Sequence, residues 1–216
     1  MVASRTLRQM RGFPESFRQL PQLILTCVLL GTVSCSRAAE DSPSLSEVAI
    51  PSAHSLLPLA MDAARNWRPD SHLIFAHVGI HPDARVTFGF NSSSDPRLGL
   101  NVHIEDPLGQ PTARTVEVSS PTRGEALPSI DAFAGGRVDS VDAFNSAIDA
   151  GARSYLRDHP EAWEATWLWN VNLQYATSPE GDVVVWRVYF TNLETDGYEV
   201  LIDPQTGDVL EVAEGP

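Results

Sequence analysis

Two stretches of this sequence run through the same order: an amphipathic helix-like segment, a proline, then about four strand-like runs separated by turn residues. Ala64-Arg65-Asn66-Trp67 closes the first helical segment, and Ala152-Arg153-Ser154-Tyr155 lies near the end of the second. A proline–acid pair follows each, Pro69-Asp70 and Pro160-Glu161. At a constant offset of 98, Gly99, Val102, Ile104, Glu105 and Gly109 match Gly197, Val200, Ile202, Asp203 and Gly207. Stacked arrays need three or more units to bury a core, so this two-fold pattern points to duplication of one small unit rather than a solenoid. A chance match of small residues is the alternative; the shared order of helix, proline and glycine turn favours duplication. The expected fold is α+β, as two tandem helix-plus-antiparallel-sheet units.

Local patterning places the elements. The first helix is expected over Ser55–Trp67, with Leu56, Ala60, Ala63 and Trp67 on one face, Ser55 as cap and Pro58 in the first turn. Strands are expected at Ser71–Ile80, Arg85–Phe90, Leu98–Glu105 and Thr112–Val118. The second helix is expected from Ser140 to Asp158 on the stripe Val141, Phe144, Ile148, Ala152 and Tyr155, with Asp139 as N-cap and Asp142 three residues on. Strands then follow at Ala165–Ala176, Val183–Thr191, Gly197–Asp203 and Asp208–Val212. The units span 55–118 and 139–213, joined by a linker at 119–138.

The last hairpin is the most explicit local signal. Tyr198, Val200 and Ile202 alternate with Glu199, Leu201 and Asp203, the period of a half-buried strand. In Asp203-Pro204-Gln205-Thr206-Gly207, proline presets φ and glycine accepts a left-handed conformation. An aspartate, a Thr-Gly turn and a short apolar strand resemble the end of a PepSY domain, with Trp186-Arg187-Val188 at the position of that family's central strand. The resemblance covers about 140–213; the first half matches in outline, since Asp106-Pro107-Leu108-Gly109 lacks the threonine before glycine. The resemblance implies a helix packed on an antiparallel sheet, no catalytic residue, and a role in restraining or chaperoning peptidases.

Residues 1–35 read as an export signal. A basic front end leads to the apolar run Leu23–Val33, too short for the roughly 20 residues a bilayer span needs. Thr32-Val33-Ser34-Cys35-Ser36 resembles a bacterial lipobox, with Thr32 where leucine is usual, and this implies acylation of Cys35. The alternative is ordinary cleavage after Ser36-Arg37-Ala38, which would release a secreted domain. Residues 36–54, rich in serine, alanine and proline, are expected to be a flexible tether.

Charge excludes one class of partner. The formal charge is −13, and residues 1–34 carry Arg5, Arg8, Arg11 and Arg18 against Glu15, which leaves −16 on the remainder. Such a surface repels nucleic acid. Cys27 and Cys35 both lie near the N-terminus, so the folded part has no cysteine for a disulfide or thiolate site. His77 and His81 share parity on one strand, whereas His72 has the other, and no HExxH pattern occurs, so no metal site is expected. Glu194, Asp196, Asp203 and Asp208 lack the spacing of a calcium loop and read as turn formers. The aromatic group Trp163, Trp167, Trp169, Tyr175, Trp186, Tyr189 and Tyr198 reads mainly as core. Trp163, in the helix-to-strand turn, and Tyr189, opposite the Trp186 face, are candidates for a binding surface.

The expected function is that of a non-catalytic envelope lipoprotein. It would sit on the outer membrane or the periplasmic face, anchored through Cys35, and bind or restrain a protein partner such as a peptidase, without a cofactor. The alternative is a small-ligand binder using the aromatic surface. A hydrolase comes third, because no Gly-x-Ser-x-Gly elbow or nucleophile–base pattern occurs.

Overall fold

Capping at two serine- and aspartate-led starts sets the helices. In the computed structural model, which describes residues 44–119, 129–130, 137–178, 181–191 and 197–214, helix α1 is Ala53–Trp67. Its cap is Ser52, not Ser55: the Ser52 hydroxyl oxygen accepts from the Ser55 N–H at 3.1 Å. Pro58 is therefore the sixth helical residue rather than a first-turn residue, on the exposed side where water can take the freed carbonyl. The buried stripe is Ala53, Leu56, Ala60 and Ala64, with Ala63 and Trp67 half-buried.

Helix α2, Ser140–Ala147, starts with the expected Asp139 cap and a reciprocal box with Asp142. The continuous helix expected to Asp158 is broken. A wide turn, Ile148–Ala152, separates α2 from α3, Arg153–Asp158. Gly151 at φ 127° makes the break, and the Ala150 carbonyl accepts from the Tyr198 hydroxyl at 2.9 Å. A Cβ on Gly151 would come within 2.5 Å of that hydroxyl oxygen.

The strands are β1 Ser71–His81, β2 Arg85–Ser92, β3 Leu98–Glu105, β4 Thr112–Ser119, β5 Leu168–Ser178, β6 Gly181–Thr191, β7 Tyr198–Ile202 and β8 Val209–Glu214. They form one eight-stranded antiparallel sheet in the order β4-β3-β2-β1-β5-β6-β7-β8. The two sheets expected from the sequence are thus joined through β1 and β5, where Val78 pairs with Val171. The turn after β7 follows its residues: Asp203 Oδ1 accepts from the Gln205 and Thr206 N–H groups at 2.7 and 3.0 Å, and Gly207 has φ 80°.

Both helical segments pack on the same face of the sheet. Helix α1 lies against β1–β4 and α2 against β5–β7. The core between them includes Phe88, Phe90, Val102, Trp169, Val171, Trp186, Val188 and Val200. Trp186 and Trp169 are buried with their ring N–H groups satisfied by the Val138 and Ala162 carbonyls at 3.0 and 2.8 Å. The described residues all fall in one compact unit. Leu45, Val48 and Ile50, within the expected tether, pack against this core. Ile130 and Val138, within the expected linker, are buried in it. The export signal with Cys35 and Ala38, tether residues 36–43, and Glu194 and Asp196 lie outside the described residues.

The two helix starts share one knot of hydrogen bonds. Ser140, fully buried, accepts from the Ala53 N–H at 2.9 Å and donates to the Pro51 carbonyl at 2.7 Å. Asp139 Oδ1 accepts from Ser140 N–H at 2.7 Å and from His54 N–H at 3.0 Å. Asp139 therefore serves the starts of both helices, and Ser140, the first residue of α2, holds the start of α1.

Candidate functional site

Because successive side chains of a strand point to opposite sides, the face away from the helices must carry whatever alternates with the core. One register line crosses all eight strands there: Arg114, His103, Thr87, His77, Asn172, Arg187, Leu201 and Glu211. Six of the eight members, from His103 to Leu201, are half-buried, unlike the covered face. Its centre is bonded together. His77 Nδ1 lies 2.7 Å from Asn172 Oδ1, and Asn172 Nδ2 donates to the Tyr189 hydroxyl at 3.4 Å. With that amide orientation His77 Nδ1 is the donor, which leaves Nε2 as its acceptor nitrogen. Arg187 donates to Glu199 at 2.5 Å and stands over the Tyr189 ring at 5.6 Å. Thr87 Oγ1 and His103 Nδ1 are 3.0 Å apart.

Two charges respond to this packing. Burial pushes the His77 imidazole below its ordinary range, with the Asn172 contact opposing. The hydrogen bond to Glu199 raises the Arg187 guanidinium further. Phe75 lies in the same face, over Gly89; a Cβ on Gly89 would sit 1.9 Å from the Phe75 ring. Only glycine fits beneath that ring.

Parity on β1 differs from the simple count. Register shifts occur between Leu73 and Phe75 and between Gly79 and His81. Each bulge adds one residue and reverses the alternation beyond it. His72 therefore comes to the same face as His77, while His81 turns to the helix face, its ring 5.0 Å from that of Trp169. His77 and His103 are two strands apart, about 10 Å at the usual ~4.8 Å strand spacing. Among the described residues no three His, Cys, Asp or Glu side chains converge to hold a metal ion.

The two aromatic candidates are not brought together. Tyr189 is on the open face, paired across the ladder with Asn170. Trp163 is on the helix side, in a 3-10 turn Pro160–Trp163, edge-on to Trp169 at 4.6 Å. A depression of about 460 Å³ adjoins Arg187, Tyr189 and Glu199. Trp163 borders two others, about 550 and 340 Å³, both of which Ser44 also lines. The row itself was missed in the sequence. Its signal is polar residues at period two inside runs that are otherwise core: Asn170, Asn172 and Gln174 on β5, and Arg187 and Tyr189 on β6.

No family model matches the chain, and no curated protein does. In structure it is similar to a “putative lipoprotein” from Clostridium difficile 630, at a TM-score of 0.42 and 11% identity, over 78% of this chain and 95% of that one.

Proposed function

We propose that this chain is a non-catalytic lipoprotein of the bacterial envelope, anchored by acyl groups on Cys35, whose open sheet face binds a protein partner. A peptidase is the partner that the PepSY resemblance implies. The observation that carries this reading is the bonded row His77–Asn172–Tyr189 with Arg187 and Glu199 on that face. Its donors and acceptors are held in place before binding, so little side-chain entropy is lost when a partner docks. The same row argues against hydrolysis. Thr87 and His103 form a hydroxyl–imidazole pair, but both sit mid-strand, where the neighbouring N–H groups serve the ladder instead of an oxyanion.

The two halves are read as duplicated PepSY-like units. The residues matched at an offset of 98 fall on β3 and on β7 with the glycine just before it, the third strand of each half, and on the turns that follow. The strand order is symmetric about the β1–β5 junction, as expected for two copies joined edge to edge.

The test compares pull-downs from detergent-solubilised envelope. A partner held by the wild type and lost with Arg187→Ala and Tyr189→Ala supports the reading. A partner held equally by all three, or steady peptidase turnover that follows the protein through two columns, overturns it. Mass spectrometry of the mature N-terminus addresses the anchor: an acylated Cys35 is expected, and an unmodified Ala39 in the soluble fraction refutes it. The depression beside Tyr189 favours small-ligand binding as the second reading; a small molecule retained through native purification would support it.

A further inference from the structure

The two edges of the sheet are finished differently. Strand β4 touches α1, whose Trp67 ring N–H reaches Glu117 at 2.8 Å, and its Arg114 pairs with Glu105, although six of its eight residues are exposed. Strand β8 ends the other side, and all six of its residues are exposed. Val209, Leu210 and Val212 are 43%, 54% and 44% exposed. An edge strand also points every second N–H and C=O outward, a ready template for another strand.

Charge narrows what can add there. After Arg187 the sequence contains no arginine, lysine or histidine, whereas Glu194, Asp196, Glu199, Asp203, Asp208, Glu211 and Glu214 are acidic. Within β8 itself Glu211 and Glu214 flank Val212. Two β8 strands paired antiparallel in a continuous sheet would bring two strongly acidic edges together with no cation to offset them, and like charges that come directly opposite cost stability. The β4 edge of a second copy has Arg114 and Glu117, which cancel and so offer no complement. An acidic, apolar edge selects a strand that alternates cationic and apolar residues.

We propose that the free edge of β8 takes up an extended cationic–apolar segment of another protein as a ninth strand. Backbone hydrogen bonds along 209–214 supply the attachment. Val209 and Val212, on the helix face, bury the apolar side chains, and Glu211, on the open face, meets the cationic ones. Glu211 ends the open-face row, but the attachment rests on the β8 backbone and does not depend on Arg187 or Tyr189.

The probe is a synthetic decapeptide of alternating arginine and valine, added to the full chain in detergent. Controls are the glutamate–valine counterpart and the arginine–valine peptide with alternate backbone nitrogens methylated. Amide exchange is read residue by residue. The arginine–valine peptide should slow exchange in 209–214 by about tenfold or more. The effect should weaken with salt, and neither control should reproduce it. The variant Glu211→Arg should reverse the preference toward the glutamate–valine peptide. Unchanged exchange in 209–214, equal protection by the methylated peptide, or an unreversed preference would each overturn the proposal. So would a dimer of the free protein with its β8 amides already protected.

Discussion

Ser140→Ala tests the buried hydroxyl that ties the start of α1 to the start of α2. The hydroxyl is fully buried, accepts from Ala53 N–H and donates to the Pro51 carbonyl. Alanine removes both partners and leaves one backbone donor and one acceptor without a bond in a dry place. An orphaned buried polar group costs about 1–3 kcal/mol, with carbonyls at the lower end because they hold a second lone pair. Alanine's better helix propensity returns at most about 0.5 kcal/mol at this first position of α2. The net loss is about 2–4 kcal/mol. For a folded part of this size about 2–4 °C is lost per kcal/mol, so the melting temperature should fall by roughly 5–15 °C. Urea unfolding should show a lower midpoint at unchanged slope, since the surface exposed on unfolding is the same. Asp139→Asn should cost much less, because an amide oxygen still accepts from Ser140 and His54. A Ser140→Ala midpoint within about 0.5 kcal/mol of wild type would refute the idea that the buried hydroxyl ties the start of α1 to the start of α2.

Trp186→Ala should cost about 3–5 kcal/mol, because the ring is 1% exposed and its N–H serves the Val138 carbonyl; an unchanged melting curve would contradict its place in the core. Gly151→Ala should cost about 1–3 kcal/mol through its backbone conformation, with an added clash on the Tyr198 hydroxyl. Tyr198→Phe in that background should recover only the clash, and a full recovery would mean that φ is not strained. His77 gives a pH dependence. Its folded value is held below the unfolded one, near 6.5, so the unfolded chain binds the proton more readily. Stability is then complete above about pH 6.5 and falls as pH drops below it, until the folded imidazole also protonates. Denaturant midpoints from about pH 7.5 to 5 should fall less steeply in His77→Gln; identical slopes in the two proteins would remove His77 as the cause.

What could be read from the residues alone was local. Alternation placed β1 to β4 within a residue or two, since a strand's period shows in any short window. The turn at Asp203–Gly207 and the Asp139–Asp142 cap were legible for the same reason: each is made by side chains bonding backbone a few positions away. The α+β class followed from these pieces. What the sequence left open depended on partners far along the chain. Joining two four-stranded halves into one sheet is settled by β1 meeting β5, about 95 residues apart, where apolar runs match in register. At the break at Gly151 the Ala150 carbonyl accepts from the Tyr198 hydroxyl, a bond no helix pattern announces. Two bulges on β1 moved His72 and His81 across the sheet, and parity counting fails wherever a strand holds an extra residue. The open-face row followed from these registers. Each of its residues was visible as a polar position in a strand, but only the pairing of eight strands set them side by side.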